Sequence, residues 1–268
     1  MKYEESNIRY YMLEIRQSVG SGFLLAVLMG IVCIGLDCGF DFAFLSTSYA
    51  GGSTVYTYIG GYFPNNFYGA FVFAPLMALP YGLSYCRDYK AGFLRQIVMR
   101  TGIFTYCKGK IIATFVSSFL AGGISITICV LLIHFFVPLA DASDTAMSYE
   151  PFGYWIIAGK YCIYFIVFVF LMSLWCAVYG IAVLCISSYC KNTYVSIAVG
   201  VTGNYAWTVI QNVVGWNALY RPKSWFSCWL TPFSNQMTFI ICLTGTVVIT
   251  AVSTGIFYRK VKMCIQRE

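Results

Sequence analysis

The chain has 268 residues, of which 59% are hydrophobic, 19% aromatic and 10% charged, and its formal net charge is +7. So little charge on so much apolar surface excludes a soluble catalytic domain and places the chain among polytopic, all-α membrane proteins read as a single domain over 1–268. The positive residues lie between and after apolar runs, a pattern that marks membrane topology and not a nucleic-acid footprint.

Residues 7–19, NIRYYMLEIRQSV, are too polar to span but place Ile8, Tyr11, Met12 and Ile15 on one helical face, flanked by Arg9 and Arg16. This predicts an interfacial helix flat on the inner leaflet, a solvated helical tail being the plainer alternative. No secretory signal is expected, because mixed residues precede the first apolar run and no small-residue cleavage site ends it. A span needs roughly 20 mainly apolar residues. Six stretches qualify, at 21–43, 67–86, 111–137, 156–188, 192–214 and 236–258. The fourth is long enough to require tilting or extension beyond the bilayer, and Pro75 and Pro80 invite a kink in the second.

Lys and Arg fix the predicted orientation. Fourteen fall in the N-terminal segment, the 87–110 loop, the turn at Lys191 and the C-terminal tail, leaving Lys160, Arg221 and Lys223 for the other side. Both termini are therefore expected in the cytoplasm of a multi-pass plasma-membrane protein. The outer loops are then 44–66, rich in Gly, Ser, Thr and Tyr; 138–155, with Asp141, Asp144 and Glu150; and 215–235, with Trp216, Trp225 and Trp229.

Several residues are candidates for chemistry. Asp37 and Asp41 are spaced i, i+4 near the outer end of the first span, where they attract a cationic substrate, pair with Arg221 or Lys223, or are solvated. Asn204, Gln211 and Asn212 make the fifth span a candidate subunit interface or translocation path, since amides facing lipid would be unsatisfied. His134 is the only histidine, and near a helix end it reads as structural or as a proton relay. Six of the twelve cysteines, Cys33, Cys129, Cys162, Cys176, Cys185 and Cys242, lie in apolar runs as small hydrophobes, no CxxC pair suggests a metal site, and Cys38 with Cys228 is the one pair positioned for an outer disulfide. Neither GK pair has the flanking residues of a phosphate-binding loop, so no ATP hydrolysis and no cofactor is expected in this chain. An intramembrane enzyme would need a nucleophile with its base, or a metal cluster, inside the spans, and a single histidine supplies neither.

The polar island RDYKAGFLRQIVMRTGIFTYCKGK at 87–110 carries the strongest signal. Phe93, Leu94, Ile97, Val98 and Thr101 share a helical face within it, with Lys90, Gln96 and Arg100 elsewhere. The succession Arg87, Asp88, Gly92, Leu94, Ile97, Arg100, then Lys108 and Lys110 before Ile111, together with the six spans and the interfacial N-terminal helix, resembles the permease subunits of ABC-2 type (type V) exporters. Among these the chain is similar to Gram-positive exporters of amphipathic peptides, such as the phenol-soluble modulin exporters. The resemblance implies an elbow helix at 7–19 and a coupling helix at 90–101, with Lys90, Gly92, Phe93, Leu94, Arg95, Ile97, Val98 and Arg100 docking on a separate ATP-binding subunit. It further implies two such subunits carrying ATP and Mg, a second permease copy (identical or related), and an amphipathic or toxin-like peptide as cargo. Asp88 and Lys90 depart from the Glu followed by Lys or Arg that many members carry. A self-contained secondary transporter or channel would instead place ionisable residues at the bilayer midplane, with internal repeats. A non-catalytic membrane scaffold is the remaining alternative.

Overall fold

A computed structural model describes residues 2–45, 54–140, 152–190, 192–217, 221–228 and 233–267. All regular structure among the described residues is helical. The N-terminal helix α1 (Lys2–Ser18) gives way to α2 (Ser21–Leu45), and the stretches 8–18 and 22–38 meet at a bend of 44°. The stretch expected to be helical at 7–19 is helix as far as Ser18, and the helix begins earlier, at Lys2.

The predicted second span at 67–86 is not one helix. Two π-helical stretches, Tyr56–Tyr62 and Tyr68–Val72, lead into α3 (Phe73–Met77); the chain then turns through residues 78–83 before α4 (Ser84–Lys90). Pro75 and Pro80 bring no N–H to the helical ladder, and the turn closes instead on Ala78 N–H to Pro75 O (3.2 Å) and Gly82 N–H to Ala78 O (2.8 Å). A Cβ at Gly82 would stand 2.7 Å from that Ala78 oxygen, so the turn requires glycine there.

After the short α5 (Leu94–Thr101) come the long α6 (Ile103–His134), a single turn α7 (Gly153–Ile157), α8 (Tyr161–Cys190), α9 (Thr193–Val213), another short turn α10 (Pro222–Phe226), and α11 (Asn235–Arg267). The over-long fourth run is not one continuous helix, though α8 alone still has 30 residues. It breaks at Gly159, whose φ of +71° ends α7 and lets α8 start afresh. The sixth run continues beyond its expected end at 258, as helix, to Arg267.

Three of these helices, α6, α8 and α11, are long and apolar enough to cross a membrane, and the count reaches four if the bent α1–α2 pair is taken as one span. Six continuous crossings are not present among the described residues. The second predicted span is broken by its prolines, and the fifth, α9, is diluted by Thr202, Gly203, Asn204 and Gln211.

Helix α8 is the hub, packing against α3, α4, α6, α7, α9, α10 and α11. Its contact with α6 is close because glycine is present on both sides. A Cβ at Gly122 would stand 2.9 Å from Cys176 Sγ, and one at Gly180 would stand 2.9 Å from Ser118 Cβ. Outward faces carry Leu24, Leu25, Leu28 and Val32 on α2 and Val247, Val248 and Val252 on α11, all exposed, as helices in hydrocarbon require. Gly122→Val is expected to force α6 and α8 apart and destabilise the fold by about 1–3 kcal/mol, read as a lowered unfolding temperature of the detergent-solubilised protein. Gly35→Ala on α2, where a Cβ meets nothing within 4 Å, leaves it unchanged.

Candidate functional site: a buried ion cluster beneath a basic surface helix

The basic segments converge. Tyr10 and Tyr11 of α1 lie against Gly109 of α6, Phe104 of α6 meets Tyr258 of α11 with ring centroids 6.3 Å apart, and Lys260 lies 4.4 Å from the Tyr189 ring at the end of α8. One end of the helix bundle therefore gathers the N-terminal helix, the 87–110 island and the C-terminal tail. Lys223 is at the other end with Phe71, as the charge count predicts.

At the basic end α5 is set off by two glycines in the left-handed region, Gly92 (φ +72°) and Gly102 (φ +83°). Gly102 ends α5 and also caps α6. The helix at the stretch 90–101, expected as a coupling helix, is shorter than predicted: Lys90 ends α4, while Gly92 and Phe93 lie in the turn before α5. Its apolar face is divided. Leu94 and Val98 are buried, with Ile97 beside them, in a cluster with Tyr85, Tyr106, Ile181, Leu184, Phe257 and Val261. Arg95, Gln96 and Arg100 are exposed, and so are Phe93 (55%) and Met99 (71%), two large apolar side chains among the cations.

Beneath this surface is a charge cluster that the sequence reading did not assemble. The Lys110 ammonium lies 3.0 Å from Glu14 Oε2 and 2.9 Å from Asp88 Oδ2, with Lys110 and Glu14 almost wholly buried. Tyr106 donates to Asp88 Oδ2 at 2.9 Å, Lys110 donates to the Tyr81 hydroxyl at 3.1 Å, and Tyr81 donates to Glu14. The Lys110 ammonium also lies 4.9 Å from the Tyr81 ring and 5.6 Å from the Tyr106 ring. Four pieces of chain, α1, the 78–83 turn, α4 and α6, are thereby joined through one ammonium. The only sequence sign of Glu14 was its place one turn after Tyr10 and one turn before Ser18, in a row beside the stripe of Ile8, Tyr11, Met12 and Ile15. Of that stripe, Ile8 and Met12 are exposed, Tyr11 and Ile15 half-buried, and the flanking Arg9 and Arg16 exposed.

The opposite end holds a second polar assembly. Asp37, buried near the end of α2, accepts from Tyr68 N–H at 3.2 Å and Gly69 N–H at 2.6 Å. Asn66 donates to Asp37 O at 3.2 Å, and Asn204 of α9 donates to Ala70 O at 3.1 Å and Phe71 O at 3.3 Å. These side chains grip the backbone of the broken second segment. Asn204 therefore points to protein inside this chain, and Gln211 is buried on the same side of α9. The side chains of Asp41 and Asn212 lie outside the described residues, as do Asp141, Asp144, Glu150, Lys191 and Trp229. Cys38 and Cys228 are both buried, the Cys38 thiol donating to Tyr58 O at 3.8 Å, and His134 is exposed at the end of α6. No group of three or more His, Cys, Asp or Glu residues among those described converges to hold a metal ion.

Comparison with protein-family models, with curated proteins and with solved structures finds no match. The reading of this site consequently rests on its own geometry and chemistry.

Removing one partner of a buried ion pair leaves an uncompensated charge at a cost of about 3–5 kcal/mol. Lys110→Met is therefore expected to destabilise by that amount in thermal or denaturant unfolding. The same substitution in a Glu14→Gln, Asp88→Asn background should cost much less, the carboxylates having been neutralised first. A separate pH effect arises at Lys223. Burial pulls its ammonium from 10.5 down to about 8, opposed by the Asp37 carboxylate and assisted by Arg221. Between those two values the unfolded chain holds a proton that the folded chain has lost, so stability rises with pH across the window from about 8 to 10.5. Unfolding measured over that range should show the slope, and Lys223→Met should abolish its share of it.

Proposed function

We propose that this chain is the membrane-spanning permease subunit of an ATP-driven exporter of the ABC-2 type, and that the exposed side of α5 docks on a separate ATP-binding subunit. The observation that carries this reading is a short helix held between two glycine turns, with Phe93 and Met99 exposed among Arg95 and Arg100. Apolar anchors inside a ring of cations suit a partner groove that is apolar at its base and acidic at its rim. Lys90 and Arg87, both exposed, extend the basic rim.

The buried cluster gives such docking a mechanical consequence. A displacement of α5 moves α4 and the start of α6, and the Lys110 contacts carry it to α1 and the 78–83 turn. ATP-driven closure of two partner subunits would bias the bundle between two arrangements only if those arrangements bind the partner differently. In this reading the broken second segment and α9 complete six crossings in a homodimer or a related heterodimer, both termini face the cytoplasm, and ATP and Mg reside on the partner. The low charge and aromatic interior suit an amphipathic peptide as cargo, for export or self-immunity.

The docking test uses the exposed residues. Leu94 is unsuitable, because it is 3% exposed and belongs to the core. Affinity purification of the full chain from its native membrane should recover an ATP-binding subunit with ATPase activity. The pair Phe93→Asp and Met99→Asp should reduce that recovery by at least about tenfold, the equivalent of roughly 1.4 kcal/mol, while leaving the unfolding temperature of the permease unchanged. Undiminished recovery and hydrolysis would overturn the coupling assignment, and purification without any ATPase would favour the scaffold or secondary-transporter classes.

A further inference from the structure

Between α6 and α8 lies a groove of ≈ 470 Å³, bounded by Phe119, Thr127 and Leu131 on one helix and Ile166, Phe170 and Ser173 on the other. This volume is within the range of small-molecule sites, about 300–1,000 Å³. Its floor forms where the helices approach closely, since a Cβ on Gly123 would stand 2.8 Å from Ser173 Oγ. Phe119 and Phe170, edge to face at 5.8 Å, close one end.

The lining offers almost nothing to a polar ligand. The Thr127 hydroxyl donates to Gly123 O at 2.7 Å, and the Ser173 hydroxyl donates to Val169 O at 2.6 Å, so both are satisfied within their own helices. The rim is bulky and exposed, with Leu131 at 56% and Ile166 at 68%. Protein partners usually supply about one hydrogen bond per 100–200 Å² of interface, and helices that associate in membranes present small or polar residues. This groove offers no free hydrogen-bonding group: its few small or polar residues, Gly123, Thr127 and Ser173, are packed together or bonded within their own helices, and its rim is bulky. It opens on the outward side of two helices of membrane-spanning length, a surface continuous with hydrocarbon. From residue 119 to residue 131 it runs about 18 Å at 1.5 Å per residue, close to one leaflet of a hydrocarbon core about 30 Å thick.

We propose that the α6–α8 groove binds the acyl chain of a membrane lipid as a resident ligand. The chain lies along α6 from Leu131 toward Phe119, its methyl end against the Phe119–Phe170 pair and its headgroup at the end of the bundle nearer His134. This site is independent of the docking surface on α5.

The full chain, reconstituted in vesicles of phosphatidylcholine and phosphatidylglycerol doped with a phospholipid bearing a diazirine near the end of one acyl chain, provides the test. Photolysis followed by peptide mapping should concentrate label on 119–131 and 165–173, at about tenfold over the more exposed α11 stretch 247–252. Thr127→Trp, which fills the groove from an exposed position, should remove that excess and leave α11 labelling unchanged; Ile124→Trp provides the same test if the first variant fails to fold. Label spread evenly over α2, α11 and the groove would overturn the proposal. So would an excess that survives both variants, or a groove left unlabelled because a second copy crosslinks there through Ile124→Cys.

Discussion

The Lys110 ammonium lies out of water, between the carboxylates of Glu14 and Asp88 and beneath the rings of Tyr81 and Tyr106, and the basic end of the bundle is arranged around it. Taking such an ion out of water costs several kcal/mol before any contact is made. The cost is offset only when both carboxylates and both tyrosines are present together, and they come from segments far apart in sequence. Slide α1 by one turn or swing α4 outward, and a charge is left buried without its partner. The cluster thus adds little net stability but specifies one arrangement of four chain segments. Helix α5 leaves this arrangement between two glycine turns, so its outward side is presented on a base with one geometry.

A related constraint shapes the opposite end. Interrupting a helix in an apolar bundle exposes backbone N–H and C=O groups that water cannot reach. In the 54–83 segment these groups find side chains from neighbouring helices. The Asp37 carboxylate takes two consecutive N–H groups, and the Asn204 amide donates to two consecutive carbonyls. Asn204 takes the Phe71 carbonyl that Pro75, four residues on and without an N–H, cannot pair, and Asp37 takes the N–H groups at the start of the second π-helical stretch. Gly69 fits the same picture, because any side chain there would collide with the Phe63 carbonyl. Both ends follow one rule: irregular or charged elements persist in this bundle where several chain segments jointly satisfy them.

Much of the architecture was legible in the residues. Hydrophobic runs marked α2, α6, α8 and α11, because a helix that lies in hydrocarbon needs apolar residues on every side. The distribution of Lys and Arg correctly grouped the N-terminal helix, the 87–110 island and the C-terminal tail at one end, with Lys223 at the other. The amphipathic period of Phe93, Leu94, Ile97, Val98 and Thr101 marked α5, although the helix expected from 90 ran through Gly92, where the chain in fact turns. Less legible was which residues of that period face outward. Leu94, Ile97 and Val98 read as a docking face, yet most of that face is occupied by Phe257 and Val261 of a helix some 160 residues away in sequence. Glu14 gave no signal because its partner Lys110 looked like one more residue of a solvated basic loop.

The sequence by itself determined an all-helical chain rich in membrane-length apolar helices, with its positive charge gathered at one end. Those properties are set by composition and local periodicity, and each helix satisfies its backbone from within. Only the tertiary structure decided that the second apolar run is a broken, clamped segment, that Lys110 is a buried ion and that Asn204 serves the backbone of its own chain. It also decided that Phe93 and Met99, not Leu94 and Val98, form the open side of α5. These depend on which side chains arrive from distant segments, and in a bundle this apolar every polar group is defined by the partner it meets.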